Sequence, residues 1–143
     1  TVYGPWGRPD MAPLLFSRAV LTGRPIEVFN QGRMRRDFTH ISDVVTGVLG
    51  ALDAAADPAA PHRVYNLGNH TPVELQRFIE VIEQVAGRKA ERIYQPMQPG
   101  DMVETMADTA RAREAFGFDP MTPIELGLPP VVEWCREYFG GRA

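Results

Sequence analysis

Cysteine is nearly absent from the sequence, which has Cys135 alone among 143 residues. No disulfide can form within one chain, which fits a reducing compartment, and we expect a cytoplasmic protein. Cys135 lies in an apolar stretch with helical spacing, so we predict a buried packing residue rather than a nucleophile. No apolar run approaches the roughly 18 residues that span a bilayer, so no membrane association is predicted.

An excess of positive charge is also missing, because the 15 basic and 18 acidic residues give a net charge of −3. This balance argues against nucleic acid or an anionic membrane as a partner. His40, His62 and His70 show no metal-ligand spacing, and there is no cysteine pair, so no metal site is predicted. A glycine-rich dinucleotide turn, a P-loop and a serine nucleophile elbow are all absent. We therefore assign this chain no catalytic residue and no cofactor of its own.

Helical and β-prone segments alternate along the whole chain, which predicts an α/β domain. Apolar spacing, with glycine or proline at the boundaries, predicts helices over 11–22, 42–56, 71–87, 109–116 and 123–139. For the third of these, we expect Thr71 and Glu74 to form a capping box around Pro72. The segment 54–61, rich in Ala, Pro and Asp, is predicted to be a surface loop.

The predicted strands are short. Segments 26–29 and 36–41 flank a turn at Gly32 and predict a β-hairpin, and further strands are predicted at 64–68 and near 92–94. Segment 64–68 is apolar on both faces, as in strands inside a parallel sheet, and such a strand needs neighbours. Since the chain supplies few neighbours and starts abruptly at Thr1, we expect residues 1–143 to be one domain of a longer protein.

Two polar groups fit a phosphorylated ligand. Arg35 and Arg36 open a predicted strand and point to opposite faces, so one can reach a ligand while the other is solvated. A guanidinium can hold a diphosphate through two parallel hydrogen bonds. In the loop 97–101, Gln98 and Asp101 could accept hydrogen bonds from ribose hydroxyls. The residues alone leave open a solvated basic patch and an ordinary Pro-Gly turn.

Several motifs occur in order along the whole chain. They are TVYGPWGRPDMA at 1–12, RDFTHISD at 36–43, YNLGN at 65–69, TPVEL at 71–75, MQPGD at 97–101, ET at 104–105 and ADT at 107–109. On these motifs the sequence resembles the extended short-chain dehydrogenases/reductases, and within them the NAD-dependent UDP-glucuronate 4-epimerases. The RDF and YNLG pieces mark only the superfamily, whereas PWGRPDM is much more specific.

The resemblance implies that the chain is the carboxy-terminal substrate-binding subdomain of an extended Rossmann-type epimerase. The NAD-binding Rossmann domain, with the catalytic tyrosine and lysine, would precede Thr1, so the chain alone is expected to bind no NAD and to be inactive. The parent protein, expected to be a homodimer, would convert UDP-glucuronate to UDP-galacturonate through a 4-keto intermediate.

The resemblance also implies roles for individual residues at the sugar and base ends of the substrate. Thr1 would face the carboxylate of the sugar, and Arg8 would lie beside the substrate on the following loop. Glu27, Val28 and Phe29 would meet the uracil, partly through backbone groups and partly through the ring of Phe29.

The diphosphate would be held by Arg36, with Gln98 and Asp101 reaching the ribose and phosphate region. Related UDP-galactose epimerases carry an arginine where Gln98 stands, so fewer cations would meet the diphosphate here. Arg8 is a candidate for supplying the missing charge.

Two other functions stay open from the sequence. One is a nucleotide-sugar dehydratase or decarboxylase of the same superfamily, against which the PWGRPDM run argues only by resemblance. The other is a freestanding, non-catalytic module that binds a sugar nucleotide. A dinucleotide-binding turn and a Tyr-x-x-x-Lys motif upstream of Thr1 would favour the enzyme over the module.

Overall fold

The computed structural model describes residues 1–54 and 62–140, which form a mixed α/β arrangement. Its helices are α1 (Ala12–Thr22), α2 (Ile41–Asp53), α3 (Leu75–Ala86), α4 (Ala110–Phe116) and α5 (Ile124–Gly140). Its strands are β1 (Val2–Tyr3), β2 (Ile26–Phe29), β3 (Arg35–Arg36), β4 (Thr39–His40), β5 (Val73–Glu74) and β6 (Arg92–Gln95). The predicted α/β class is therefore confirmed. Within these described residues, no helix is both long and apolar enough to cross a membrane.

The core forms where α1, α3 and α5 pack against one another. Helix α3 contributes Phe78 and Ile82, and α5 contributes Leu128 and Val132, all of them fully buried. Apolar residues three or four positions apart lie on one face of a helix, so each helix presents a continuous apolar stripe to the others. Cys135 belongs to this core, as predicted, and burial raises the pKa of its thiol to about 11.

The predicted β-hairpin is wrong. Strand β2 pairs in parallel with β6, β3 pairs antiparallel with β5, and β4 pairs in parallel with β1. Gly32 has a positive φ of 75°, as a turn glycine was expected to have, but Asn30 and Gln31 also have φ values of 50° and 55°. This run of left-handed residues turns the chain away from β2, so both edges pair with segments distant in sequence.

The predicted strand at 64–68 is also wrong, since residues 62–67 have no strand ladder. A parallel strand needs a hydrogen-bonded neighbour along its edge, and no described segment pairs with this one. The side-chain amide of Asn66 instead donates to the backbone carbonyl of Asp108 at 3.1 Å.

Two helix starts differ from prediction. Glu74 pairs in β5 and makes no side-chain capping bond, so the predicted capping box is wrong and α3 begins at Leu75. Helix α2 begins at Ile41, where Nδ1 of His40 accepts the backbone N–H of Ser42 at 3.3 Å. Of the predicted loop 54–61, residues 55–61 lie outside the described part of the chain.

Candidate binding cavity

A cavity of about 180 Å³, here called the central cavity, lies between α1, β2, β3 and the loop that precedes α4. Its lining brings together sequence-predicted residues from four separate segments, namely Thr1, Glu27, Phe29, Arg36 and Asp101. A volume below the roughly 300–1,000 Å³ of typical small-molecule sites can hold only part of a nucleotide sugar.

A second space of about 340 Å³ runs between α1 and β2 and shares four lining residues with the central cavity. We call it the α1/β2 groove. From α1 it is lined by Ala12 and Phe16, which lie one turn apart, and from β2 by Glu27 and Phe29. The sharing of these residues makes the two spaces adjacent, with an apolar wall from the helix and a mixed wall from the strand.

Alternation along β2 decides which of its side chains face the central cavity. Ile26 and Val28 are buried in the core, whereas Glu27 is exposed and Phe29 half-buried at the cavity wall. Glu27, Val28 and Phe29 were predicted to meet a base. The side chain of Val28 lies in the core, so only the backbone of Val28 is left to contact a ligand. The ring of Phe29 is the part of β2 that can stack on a planar ligand.

Arg36 is the only arginine or lysine in the described lining of the central cavity. Its Nη2 donates to Oδ1 of Asp101 at 2.7 Å, and its Nη1 donates to the carbonyl of Arg35 at 3.2 Å. Arg35 points the other way and pairs with Glu104 at 2.7 Å on the outside. The side chain of Arg36 is 17% exposed and that of Arg35 50%, so alternation separates a cavity arginine from a solvated one.

The loop that carries Asp101 is fastened to β3 by backbone hydrogen bonds. The N–H of Arg35 donates to the carbonyl of Val103 at 2.8 Å, and the N–H of Thr105 donates to the carbonyl of Arg35 at 3.2 Å. Gly100, with φ 83°, shapes the turn in which the N–H of Asp101 bonds to the carbonyl of Gln98. The position of Asp101 beside Arg36 thus follows from this docking.

Arg8 and Gln98 are not among the residues that line the central cavity. Arg8 lies on an exposed loop, where its guanidinium forms two hydrogen bonds with Asp10 at 2.7 and 2.9 Å. Gln98 is exposed in the turn before Asp101. Their roles in substrate binding stay predictions.

Sequence reasoning missed Asp37, whose chain neighbours Arg36 and Phe38 line the central cavity. Its buried carboxylate accepts the N–H groups of Asn69 at 2.7 Å, His70 at 3.1 Å and Ala107 at 2.9 Å, and the hydroxyl of Thr39 at 3.1 Å. The side chain thereby joins three segments of the chain. In a sequence, an acidic residue beside two arginines predicts a solvated charge cluster. The sequence therefore offers little indication that Asp37 is buried.

Catalytic groups were not predicted for this chain. In the part that the structure describes, no group of three or more His, Cys, Asp or Glu side chains is placed to hold a metal ion. The phenol of Tyr3 is buried, and burial together with the nearby Asp43 and Glu125 raises its pKa. A phenol held in its neutral form in the core packs against Phe38 and Phe78 and lies outside the central cavity.

The chain is similar in sequence to proteins of one family. Residues 1–68 match the family model described as "NAD dependent epimerase/dehydratase family". The chain is 42% identical to a probable UDP-glucuronate 4-epimerase of Rhizobium meliloti over 97% of this chain and 45% of that protein. It is 41% identical to UDP-glucuronate 4-epimerase 1 of Arabidopsis thaliana over 98% of this chain and 36% of that protein.

The fold also matches that of a solved structure. The crystal structure of the UDP-glucuronic acid 4-epimerase from Bacillus cereus, in complex with UDP-glucuronic acid and NAD, superposes with a TM-score of 0.89 at 28% identity. The match covers 96% of this chain and 43% of that one. The chain spans less than half the length of the curated relatives it matches. From its motifs, its fold and these matches, the chain belongs to the NAD-dependent epimerase/dehydratase family.

Proposed function

We propose that this chain is the nucleotide-sugar-binding portion of an NAD-dependent UDP-glucuronate 4-epimerase. The observation that carries the proposal is the central cavity, where Thr1, Glu27, Phe29, Arg36 and Asp101 meet from distant parts of the sequence. The similarity to UDP-glucuronate 4-epimerases over nearly the whole chain supports this choice of substrate.

In this proposal the central cavity and the adjacent α1/β2 groove together hold the nucleotide lengthwise. The uracil enters the α1/β2 groove and stacks on Phe29, with its polar edge towards backbone groups of β2. The diphosphate meets Arg36, whose planar guanidinium can form two parallel hydrogen bonds with phosphate oxygens. Asp101 accepts from the ribose, and Thr1 faces the carboxylate of the sugar. The two spaces together provide the length that the central cavity lacks.

We further propose that NAD and the proton-transfer residues belong to a separate portion of the full-length enzyme. The sequence has no glycine-rich turn for a pyrophosphate, so its own residues do not fit NAD. Helix α2 exposes an apolar face of Val45, Val48, Leu49 and Leu52, residues that are 49–78% exposed. A contiguous apolar patch of this kind marks an interaction surface, and we propose that the NAD-binding portion covers it. NAD, when bound there, would carry the hydride.

Calorimetric titration with UDP-glucuronate tests the binding proposal. We expect Arg36→Ala to weaken binding by at least about tenfold, because a charge-assisted contact to the diphosphate is lost. The matched control is Arg35→Ala, which removes the adjacent guanidinium outside the cavity and is expected to change affinity less than about threefold. Equal effects of the two substitutions would contradict the placement of the diphosphate.

The reaction is tested with the chain joined to its NAD-binding portion. We expect that protein to convert UDP-glucuronate to UDP-galacturonate, followed by NMR of the sugar, and the chain alone to give no turnover. Release of CO2 or loss of water from the sugar would instead identify a decarboxylase or a dehydratase. If the chain binds a nucleotide sugar and no extended form of the protein exists, it is the non-catalytic module. A homodimer in the cytoplasm is the expected state of the parent.

A further inference from the structure

We infer that Asp101 is a specificity-determining residue of the central cavity, an internal anion that occupies Arg36 and selects against small inorganic anions. In this view the pair exchanges partners only when the ligand supplies both a diphosphate for Arg36 and hydroxyl donors for Asp101. The inference rests on the proposed function, since it names how the same site chooses among anionic ligands.

The ion pair occupies the position in which an anion would bind. Both Arg36 and Asp101 line the central cavity, and the distance from Nη2 to Oδ1 is 2.7 Å. The side chain of Asp101 is 31% exposed, so the pair is partly shielded from water. A carboxylate at hydrogen-bonding distance cancels most of the field of the guanidinium, and with Glu27 also in the lining the side chains of the cavity carry no net positive charge.

Asp101 is built into this position rather than drawn to Arg36 by chance. Its Oδ1 also accepts the backbone N–H of Met102 at 2.9 Å, while its own N–H closes the turn to the carbonyl of Gln98. The following residues are fastened to β3, the strand that carries Arg36. The carboxylate therefore stays near the anion site even when the guanidinium turns to another partner.

This geometry separates ligands by what they offer Asp101. A bare anion that takes Arg36 leaves the carboxylate without its cation, partly desolvated and facing a second negative charge, which is unfavourable. A nucleoside diphosphate brings ribose hydroxyls that can donate to the freed carboxylate oxygens. When the ligand is a nucleotide, these hydroxyls compensate Asp101 for the loss of Arg36. When the ligand is an inorganic ion, nothing compensates that loss.

The exposed pair between Arg35 and Glu104 provides the comparison. It has the same 2.7 Å length, but its side chains are about half exposed, and it lies outside the central cavity. Water screens such a pair, so removing its carboxylate should change little. Glu104→Gln is therefore the matched control for Asp101→Asn.

The test measures pyrophosphate and UDP affinity by calorimetry for the wild-type chain and both variants. We expect Asp101→Asn to raise pyrophosphate affinity about tenfold, since the arginine is freed and a like charge is removed. UDP affinity should stay within about twofold of wild type or fall, so the ratio of UDP to pyrophosphate affinity drops at least about fivefold. Glu104→Gln should leave both affinities within about twofold. Adding Arg36→Ala to Asp101→Asn should abolish the gain.

Unchanged or lower pyrophosphate affinity in folded Asp101→Asn protein would overturn the inference, as would an equal gain for both ligands. If the wild type binds UDP while Asp101→Asn leaves the affinity ratio unchanged, the selectivity role is wrong and the proposed function stands. If pyrophosphate affinity rises while neither the wild type nor any variant binds UDP, Asp101 weakens anion binding at Arg36 and the nucleotide proposal fails. Circular dichroism checks folding, and Asp101→Ser carries the same expectation should the amide variant misfold.

Discussion

Replacing Asp37 by alanine should be among the most destabilising single changes in this chain. Only 4% of the residue is exposed, and its carboxylate accepts backbone N–H groups from Asn69, His70 and Ala107. Truncation removes the acceptor that holds Asn69, His70 and Ala107 against the segment leading into β4. The backbone N–H groups of His70 and Ala107 both donate to Oδ2 of this carboxylate.

The magnitude follows from which donors lose their partner. The N–H of Asn69 keeps a second acceptor, Oγ1 of Thr39, at 3.1 Å. The N–H groups of His70 and Ala107 lose a charged acceptor, and each such bond contributes about 1.5–3 kcal/mol. The sum of roughly 3–6 kcal/mol is a large part of the ~5–15 kcal/mol that stabilises a typical domain. Asp37→Asn should lose about half as much, since a flipped amide can still present its oxygen to these two donors.

Urea unfolding followed by tryptophan fluorescence gives the free energy of unfolding and its dependence on urea. The control is Asp119→Ala, which removes an exposed carboxylate 3.5 Å from Arg113 and should cost less than about 1 kcal/mol. A loss below about 1 kcal/mol for Asp37→Ala, at an unchanged urea dependence, would refute the assignment of a structural role to this carboxylate.

Three further changes test other parts of the core. Burial raises the pKa of Glu83, but hydrogen bonds from a lysine, an arginine and a backbone N–H outweigh it and hold the pKa below its ordinary value of 4.5. Its stabilising contribution is therefore complete above pH 4.5 and lost as the pH falls through the lowered pKa. Glu83→Gln should be less stable than wild type by ~1–3 kcal/mol at pH 7, and the gap should narrow in urea melts at pH 3. Cys135, with its pKa raised to about 11 by burial, should resist thiol reagents at pH 8 in the native state and react in urea, and rapid native labelling would contradict its buried position. Gly127→Ala should lower stability by ~1–3 kcal/mol, because the added Cβ would collide with the hydroxyl of the buried Tyr3, whereas Gly140→Ala meets nothing within 4 Å. Equal thermal stability of these two glycine variants would argue against the close packing.

Features set by neighbouring residues could be predicted from the sequence. Gly23 and Gly87 end helices α1 and α3 in the left-handed conformation, as their positions predicted. Alternation placed Arg36 and Arg35 on opposite faces of a strand, although the partner of that strand was predicted wrongly. These predictions succeeded because helix ends and side-chain direction depend on local dihedral angles.

Pairing between distant segments could not be predicted in the same way. A turn was predicted at residues 30–32, but the direction in which its left-handed residues Asn30 and Gln31 steer β3 away from β2 was not. The predicted capping box failed because the backbone of Glu74 was taken by β3, a partner that no local rule can foresee. Such pairings are chosen by which edges the packed helices bring together.

The sequence by itself determined the α/β class, the family resemblance and the types of side chain that a nucleotide sugar needs. Only the tertiary structure decided that Arg36 meets Asp101, that Arg8 and Gln98 lie outside the central cavity, and that Asp37 is buried. The physical reason is that residue chemistry is a property of each position, whereas a cavity exists only where packing brings separate segments into contact.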